Sequence, residues 1–258
     1  MTIARTMPTM MLLALGLLAS GAPALAAPMA GDRSRYDACL AMVQADPARA
    51  IESAQAWRIE NGGVPARHCL ALAQMERKDY AAALKSFEGA AQASEVARDG
   101  QAVALWGQAA DAAMQAGQPE AAVRYLSSAI AGAGGISLSP RAEAQLRVDR
   151  ARALVDVKRN ADAAADLDKA TKLAGDVQFG WLLKATLARR MGDFKTAEAA
   201  ILEAAQREPD SADVQFEAGN IAAAQGNDQL ARTAWLAAAR ADPDSAAGIA
   251  ANKALQGD

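Results

Sequence analysis

The sequence predicts an all-α fold, a solenoid of antiparallel helix pairs, and three observations support this prediction. Of the 258 residues 52% are hydrophobic but only 4% are aromatic, and much of the apolar count is alanine, the residue with the highest helix propensity. Runs of Val, Ile and Thr with the two-residue alternation of strands are missing from the sequence. The segment 191–211 recurs thirty-four residues later at 225–245, with glycine, alanine and Pro-Asp-Ser at matching places. Self-similarity with this period is typical of stacked helical hairpins.

Residues 1–26 have the three-part pattern of a secretory signal peptide. Arg5 precedes an apolar stretch from Met10 to Ala19, and an Ala-x-Ala site ends at Ala26. The apolar stretch is about half of the roughly 20 residues that span a bilayer, so we expect cleavage after Ala26, with an uncleaved anchor as the alternative. Residues 27–33 are then a short linker, the mature chain has no membrane span, and the protein is periplasmic or secreted.

The repeat can be followed upstream when Gly192 is placed at position 15 of a 34-residue unit. Position 20 is then alanine in six successive units, positions 8 and 27 are mostly alanine, and position 24 is mostly large and apolar. The residues are Ala50, Ala83, Ala122, Ala163, Ala197 and Ala231 at position 20; Ala38, Ala71, Ala110, Ala151, Ala185 and Gly219 at position 8; Ala54, Phe87, Leu126, Leu167, Ile201 and Trp235 at position 24; and Trp57, Ala90, Ala129, Ala170, Ala204 and Ala238 at position 27. The array is predicted to span residues 34–245.

Each of these positions has a physical role in a helical hairpin. Residues three and four apart share one helix face, so positions 20, 24 and 27 lie together. Small residues at positions 8 and 20 let two antiparallel helices approach closely, and the large residue at position 24 fills the space beside them. Glycine at position 15 ends the first helix and proline at position 32 ends the second. The two longer steps between units predict insertions in connecting loops, chiefly at residues 132–140, which could also act as a hinge.

These residues resemble the tetratricopeptide repeat family, whose units are helix–turn–helix pairs of 34 residues. The fourth repeat matches the family pattern best, and its matching residues are Trp181, Ala185, Gly192, Phe194, Ala197, Ile201, Ala204 and Pro209. The resemblance implies a right-handed superhelical solenoid of about five to six repeats, in which residues 246–258 form a C-terminal capping helix and tail. The first unit, around Tyr36 to Gly62, matches least, because Pro47 and Trp57 occupy two of its family positions.

Cys39 and Cys69 are the two cysteines of the chain. In an oxidising compartment an even pair is a candidate disulfide, which would close a loop of about thirty residues. Two free thiols packed between helices are the alternative. A metal site or a catalytic thiol is disfavoured, because His68 is the only histidine and no further ligand is grouped with these residues.

The remaining sequence favours neither catalysis nor nucleic-acid binding. It contains no GxxxxGK phosphate loop and no GxSxG elbow, so we expect no enzyme activity and no cofactor. The formal net charge is −3 and becomes −4 when Arg5 is removed with the signal peptide, whereas nucleic-acid binding requires a basic face. We therefore expect no nucleic-acid partner.

The resemblance implies that positions 2, 5, 9, 12 and 13 of the first helices face a concave groove. In repeats three to five the candidate partner-binding residues are Gln145, Val148, Arg152, Phe179, Leu182, Thr186, Arg189, Arg190, Phe216 and Asn220. Arginine and aromatic residues are enriched in interface hot spots, although these side chains could equally make ordinary surface and inter-repeat contacts. The family's carboxylate clamp does not carry over, because its two positions in repeat one hold His68 and Leu72.

The sequence thus predicts a non-catalytic scaffold that binds a protein or peptide partner, in envelope assembly or maintenance. Two alternatives remain open. One is a self-assembling structural module, a homo-oligomer. The other is a binder of small molecules or cell-wall fragments, which the low aromatic content disfavours.

Overall fold

The computed structural model describes residues 30–135, 137–176 and 178–257, and within them the chain is all-α. The signal peptide predicted at 1–26 lies outside the described residues. The helices are α1 (Ala30–Ala45), α2 (Pro47–Ile59), α3 (Gly63–Glu76), α4 (Tyr80–Ala97), α5 (Ala102–Gln115), α6 (Pro119–Ile130), α7 (Pro140–Asp156), α8 (Asn160–Leu173), α9 (Gln178–Arg190), α10 (Phe194–Arg207), α11 (Ala212–Ala224), α12 (Asp228–Ala241) and α13 (Ala246–Gln256). They form six sequential antiparallel pairs and a final helix, which confirms the predicted fold class and places a helix where the C-terminal cap was expected.

The start of the array differs from the prediction. Helix α1 begins at Ala30, so residues 30–33 of the predicted linker are helical and the rest of the linker lies outside the described part of the chain. Asp32 lies in the first turn of this helix, where a carboxylate interacts favourably with the exposed N–H groups of the helix end.

The pairs stack so that odd-numbered helices form one layer and even-numbered helices the other. In the described residues each helix packs on its neighbours in the chain, and α7 also contacts α9, as α9 contacts α11. Within the described ranges, the contacts between alternate helices are made by odd-numbered ones, namely α1 with α3, α7 with α9, α9 with α11 and α11 with α13, and no two even-numbered helices make contacts as extensive as these. The odd-numbered layer is therefore the inner, concave side of the array.

Small residues set the spacing between the paired helices, as the repeat pattern predicts. The alanines at positions 20 and 27 are no more than 1% exposed, and Phe87 and Leu167 at position 24 are 2% and 1% exposed. Gly219 shows how close the helices come, because a Cβ atom added there would lie 2.4 Å from Cδ1 of Trp235. In the described residues the core therefore consists of successive clusters in which small residues pack around a few large ones.

In the five pairs from α3 to α12 the turn has a left-handed residue at position 15. Gly117, Gly192 and Gly226 have φ of 68°, 78° and 76° there. Two repeats have lysine instead, and Lys78 and Lys158 adopt the same conformation with φ of 60° and 61°. The backbone geometry is thus kept where the glycine is absent, at the steric cost that a Cβ atom adds in this region.

The recurring Pro-Asp-Ser motif ends one helix and begins the next. The side chain of Ser211 accepts a hydrogen bond from the backbone N–H of Val214 in the first turn of α11. Ser245 does the same for Gly248 in α13. The serine therefore caps each following helix, a role that explains why the motif extends beyond its proline.

The first pair is joined to the array by the predicted disulfide. Cys39 of α1 and Cys69 of α3 are bonded, with their Cα atoms 6.3 Å apart. The hydroxyl of Tyr36 also pairs with Nδ1 of His68. Ala38, which the repeat pattern predicts at the buried position 8, is exposed, and Cys39 is buried beside it. The bonded cysteine thus occupies the inward-facing place in α1, one residue away from the prediction.

The insertions lie only partly in loops. The first lengthens α4, which has 18 residues where α2 has 13 and α6 has 12. The second follows α6 and contains a short turn at Ala133–Gly135, which contacts α4, α5 and α6. Ala133 is buried in this turn, and Ser139 then caps α7. Both insertions thus pack on the array as far as the structure describes them.

Candidate groove on the inner face

Two adjoining cavities form a groove across the inner helices α5, α7 and α9. The first, of about 320 Å³, lies between α5 and α7 and is lined by Asp111 and Asp149. The second, of about 280 Å³, lies between α7 and α9 and is lined by Leu183. Met114 and Arg152 line both cavities and so join them. We call this continuous surface the inner groove.

Three of the predicted partner-binding residues lie in the inner groove. Arg152 of α7 and Arg190 at the end of α9 are exposed, and Thr186 is half-buried in the lining of the second cavity. These side chains are carried by helices that pack on both sides, so their positions are held by the array.

Gln145 and Phe179 lie outside the inner groove, in a separate shallow depression near the N-terminal ends of α7 and α9. Phe179 is 61% exposed there, and Arg141 and Asp176 pair beside it. Gln145 donates from Nε2 to the Asp149 carboxylate, with Oδ1 at 3.2 Å, and so reaches back toward the groove. The two residues are accessible, but they do not share one cavity with the groove arginines.

Val148 is placed in the core, which corrects its assignment to the groove. It is 1% exposed and packs with Leu154 and Leu167 in the hydrophobic cluster of α7, α8 and α9. Leu182 and Phe216 are half-buried, and Leu182 packs against the core of α9 and α10. Position 5 thus contributes more to inter-helix packing than to an accessible surface.

Arg189 and Asn220 belong to a structural network between α9, α11 and α12. Nε of Arg189 donates to Oε1 of Glu217 at 2.7 Å, and the Glu217 side chain is only 7% exposed. Nδ2 of Asn220 donates to the same carboxylate, and Oδ1 of Asn220 accepts from Nε1 of Trp235 at 3.1 Å. These hydrogen bonds hold successive repeats together, so the two side chains are already occupied.

The electrostatics of the inner groove are set by two carboxylates and one guanidinium. Burial raises the pKa of Asp111, the neighbouring Asp149 raises it further, and Arg152 lowers it. Burial also raises the pKa of Asp149, against the opposing effects of the Gln145 hydrogen bond and Arg152. In the groove as described, the carboxylates therefore lack full compensation by positive charge.

The groove offers no metal or membrane chemistry in the described residues. No three His, Cys, Asp or Glu side chains are grouped there as metal ligands would be. Across the same described ranges, no helix is long and apolar enough to cross a membrane.

Comparison with known proteins agrees with the repeat pattern. Residues 182–246 match the tetratricopeptide repeat family. The array is also similar to the solved structure of PilW, described as a widely conserved type IV pilus biogenesis factor, with a TM-score of 0.65 and 15% sequence identity over 86% of this chain and 98% of that one. The chain has the tetratricopeptide-repeat fold.

Two further solved structures share this tetratricopeptide-repeat fold. PilF of Pseudomonas aeruginosa superposes with a TM-score of 0.62 and 16% identity, over 87% of this chain and 99% of that one. YrrB, described as a tetratricopeptide-repeat protein with an unusual peptide-binding site, gives a TM-score of 0.56 and 16% identity over 77% and 96% of the two chains. No curated protein sequence matches the chain significantly.

The repeat positions identify groove residues that the sequence analysis missed. Asp111 and Met114 are at positions 9 and 12 of repeat two, positions that the analysis applied only to repeats three to five. Extending the same positions one repeat earlier would have found both residues. Asp149 is at position 6 and carries no such signal, because its exposure to the groove depends on how α7 is rotated against α5.

Proposed function

We propose that this protein is a non-catalytic, exported scaffold that binds an extended segment of a protein or peptide partner along the inner groove. The observation that carries the proposal is the joining of two cavities across three consecutive inner helices, at Met114 and Arg152. A surface of this shape suits a segment of chain laid across the helices. Since the helices are already packed, binding would cost little ordering of the scaffold.

The comparisons support a binding role in general terms. YrrB shares the fold and is described by its peptide-binding site, and PilW shares the fold and is described as a pilus biogenesis factor. Together with the signal-peptide pattern of residues 1–26, they favour a role in envelope assembly or maintenance. In this proposal the mature protein begins at Ala27, which N-terminal sequencing of the periplasmic fraction would test.

The cavity sizes favour a peptide over the small-molecule alternative. At about 280 and 320 Å³, each cavity is near the lower end of the roughly 300–1,000 Å³ of small-molecule sites. Each can take one side chain of a longer ligand.

A site-specific photo-crosslinker tests the location of binding in intact cells. We expect the probe at Thr186, in the groove, to capture a partner, and the probe at Lys169, on the outer helix α8, to capture none. Leu183→Glu, which places a charge in the apolar cavity, should abolish the Thr186 adduct, whereas Leu202→Glu, the same substitution on the outer helix α10, should leave it. Equal capture at both positions would refute the groove assignment.

The same experiment separates self-assembly from adaptor function. Leu202 and Leu236 occupy equivalent positions of successive outer helices and are 62% and 42% exposed. If the only adduct is a dimer of the chain, and sedimentation shows an oligomer that Leu202→Glu dissociates, the protein is a self-assembling module. Arg189→Glu is unsuitable as a groove probe, because it would place a second carboxylate against Glu217.

A further inference from the structure

The charge and apolar surface of the inner groove divide along its length. The cavity between α5 and α7 contains Asp111, Asp149 and Arg152 as its charged side chains. The cavity between α7 and α9 has a floor of Leu167, Leu183 and Leu187, with charged groups at its rim. An acidic end therefore adjoins an apolar one.

The acidic end has two carboxylates and a single cation, Arg152. In the described structure Asp111 accepts no hydrogen bond from a neighbouring side chain, and Asp149 accepts only from Gln145. Arg152 is close enough to influence both carboxylates but forms an ion pair with neither. A second positive charge placed between α5 and α7 would relieve the repulsion between the two aspartates.

The apolar end has room for one aliphatic side chain. Its floor is continuous with the core, because Leu167 and Leu187 are 1% and 4% exposed and pack in the cluster of α7, α8 and α9. Its rim carries Arg152, Asp156 and Arg190. Because these residues carry charges of both signs, the cavity has no strong electrostatic preference for the ligand side chain that enters it. Burial of a leucine-sized group there would contribute through the removal of apolar surface from water.

The distance between the two ends sets the spacing of the ligand side chains. The two cavities lie on either side of α7, so their centres are separated by about the width of one helix, roughly 10 Å. A polyproline-type extended chain rises about 3.1 Å per residue and returns to the same face every third residue, which gives about 9 Å. Side chains three residues apart in such a segment would therefore meet the two cavities together.

We propose that the inner groove recognises a protein segment in extended conformation that carries a basic side chain and, three residues away, a large aliphatic side chain. The basic group lies between Asp111 and Asp149, and the aliphatic group enters the cavity over Leu183 and Leu187. This inference rests on the proposed function, and it adds the chemistry of the partner.

Selection from a peptide library tests this chemistry directly, because the library supplies every combination of side chains. A random heptapeptide phage library is panned on the native protein and, in parallel, on an Asp111→Asn/Asp149→Asn variant. A Glu52→Gln/Glu120→Gln variant serves as the matched control, since both glutamates are exposed and lie on the even-numbered helices α2 and α6. We expect a consensus of a basic residue three places from an aliphatic one with the native and control proteins, and its loss with the aspartate variant.

Affinities of the selected peptides then measure each contact. Replacing the basic residue of the peptide by serine, or Asp149 by asparagine, should weaken binding about tenfold to a hundredfold, as expected for a hydrogen bond to a charged group. Raising the salt concentration should weaken binding of the parent peptide more than that of the serine peptide. Circular dichroism should show unchanged helix content for Asp149→Asn, because the substitution removes a repulsive charge.

The outcomes separate this inference from the proposed function. An acidic consensus, or a basic consensus that the aspartate variant also selects, would overturn the inference while the Thr186 crosslink still supports groove binding. If no consensus emerges and Thr186 captures nothing in cells, both the inference and the proposed function fail.

Discussion

The ion network around Asp166 gives the sharpest test of how the third repeat is stabilised. The Asp166 side chain in α8 is 6% exposed. It accepts hydrogen bonds from Nη1 of Arg147 at 2.8 Å and from Nε and Nη2 of Arg150 at 2.7 Å each. The Asp166→Ala substitution removes three charge-assisted hydrogen bonds and leaves two largely buried guanidinium groups with less compensation.

The expected loss can be estimated from the groups that remain. Removing one partner of a buried ion pair usually costs about 3–5 kcal/mol. Arg147 keeps its pair with Glu143 at 2.7 Å, and Arg150 keeps its hydrogen bond to the Ser127 hydroxyl. We therefore expect a loss near the lower limit, about 3 kcal/mol in the free energy of unfolding. Urea denaturation followed by far-ultraviolet circular dichroism would measure it as a lower midpoint at constant slope.

A matched control is available on the same helix. Asp162 pairs with Arg159, but both side chains are more than half exposed, so Asp162→Ala should cost less than about 1 kcal/mol. Because Glu143 pairs with Arg147, the quadruple substitution Glu143→Gln/Arg147→Met/Arg150→Met/Asp166→Leu replaces every charge of the network. It should return to within about 1 kcal/mol of the native stability, because replacement of a whole buried network is often neutral. Equal losses for Asp166→Ala and Asp162→Ala would refute the argument.

Three further predictions test the turns, the helix packing and the buried histidine. Lys158→Gly should stabilise the protein by about 1 kcal/mol in urea denaturation, because glycine lacks the Cβ strain of the left-handed region. A loss of stability would show that the lysine side chain contributes more than the strain costs. Gly219→Ala should lower the free energy of unfolding by about 1–3 kcal/mol and alter the fluorescence of Trp235, because the new Cβ overlaps the indole. A variant as stable as the native protein would contradict this packing. Burial lowers the pKa of His68 in the folded state. The stability that neutral His68 contributes is therefore complete above the unfolded pKa of about 6.5 and is lost as the pH falls through the lower folded pKa. The free energy of unfolding should change by at most about 1.4 kcal/mol per pH unit in this range. Urea denaturation between pH 7.5 and 5 should show a smaller loss for His68→Gln than for the native protein, and identical pH profiles would contradict the assignment.

The fold could be predicted because its determinants are local and repeated. Small residues at positions 8, 20 and 27 fix the helix contacts wherever they occur, and the left-handed turn recurs at position 15 even where Lys78 and Lys158 replace glycine. The errors fall where the repeat is interrupted. In the first unit Cys39 takes the buried place predicted for Ala38, and the insertion after repeat one extends α4 instead of a loop.

The site was harder to predict because neighbouring residues of one type have different partners. Arg189 and Arg190 are adjacent in sequence, but successive residues of a helix point about 100° apart. Arg189 meets Glu217, which is 28 residues later in the chain, whereas Arg190 lines the inner groove. Only the packing of α9 against α11 distinguishes an arginine that joins two repeats from one that is left to bind a partner. The accessible chemistry of the groove therefore consists of the side chains that the contacts between repeats leave unused.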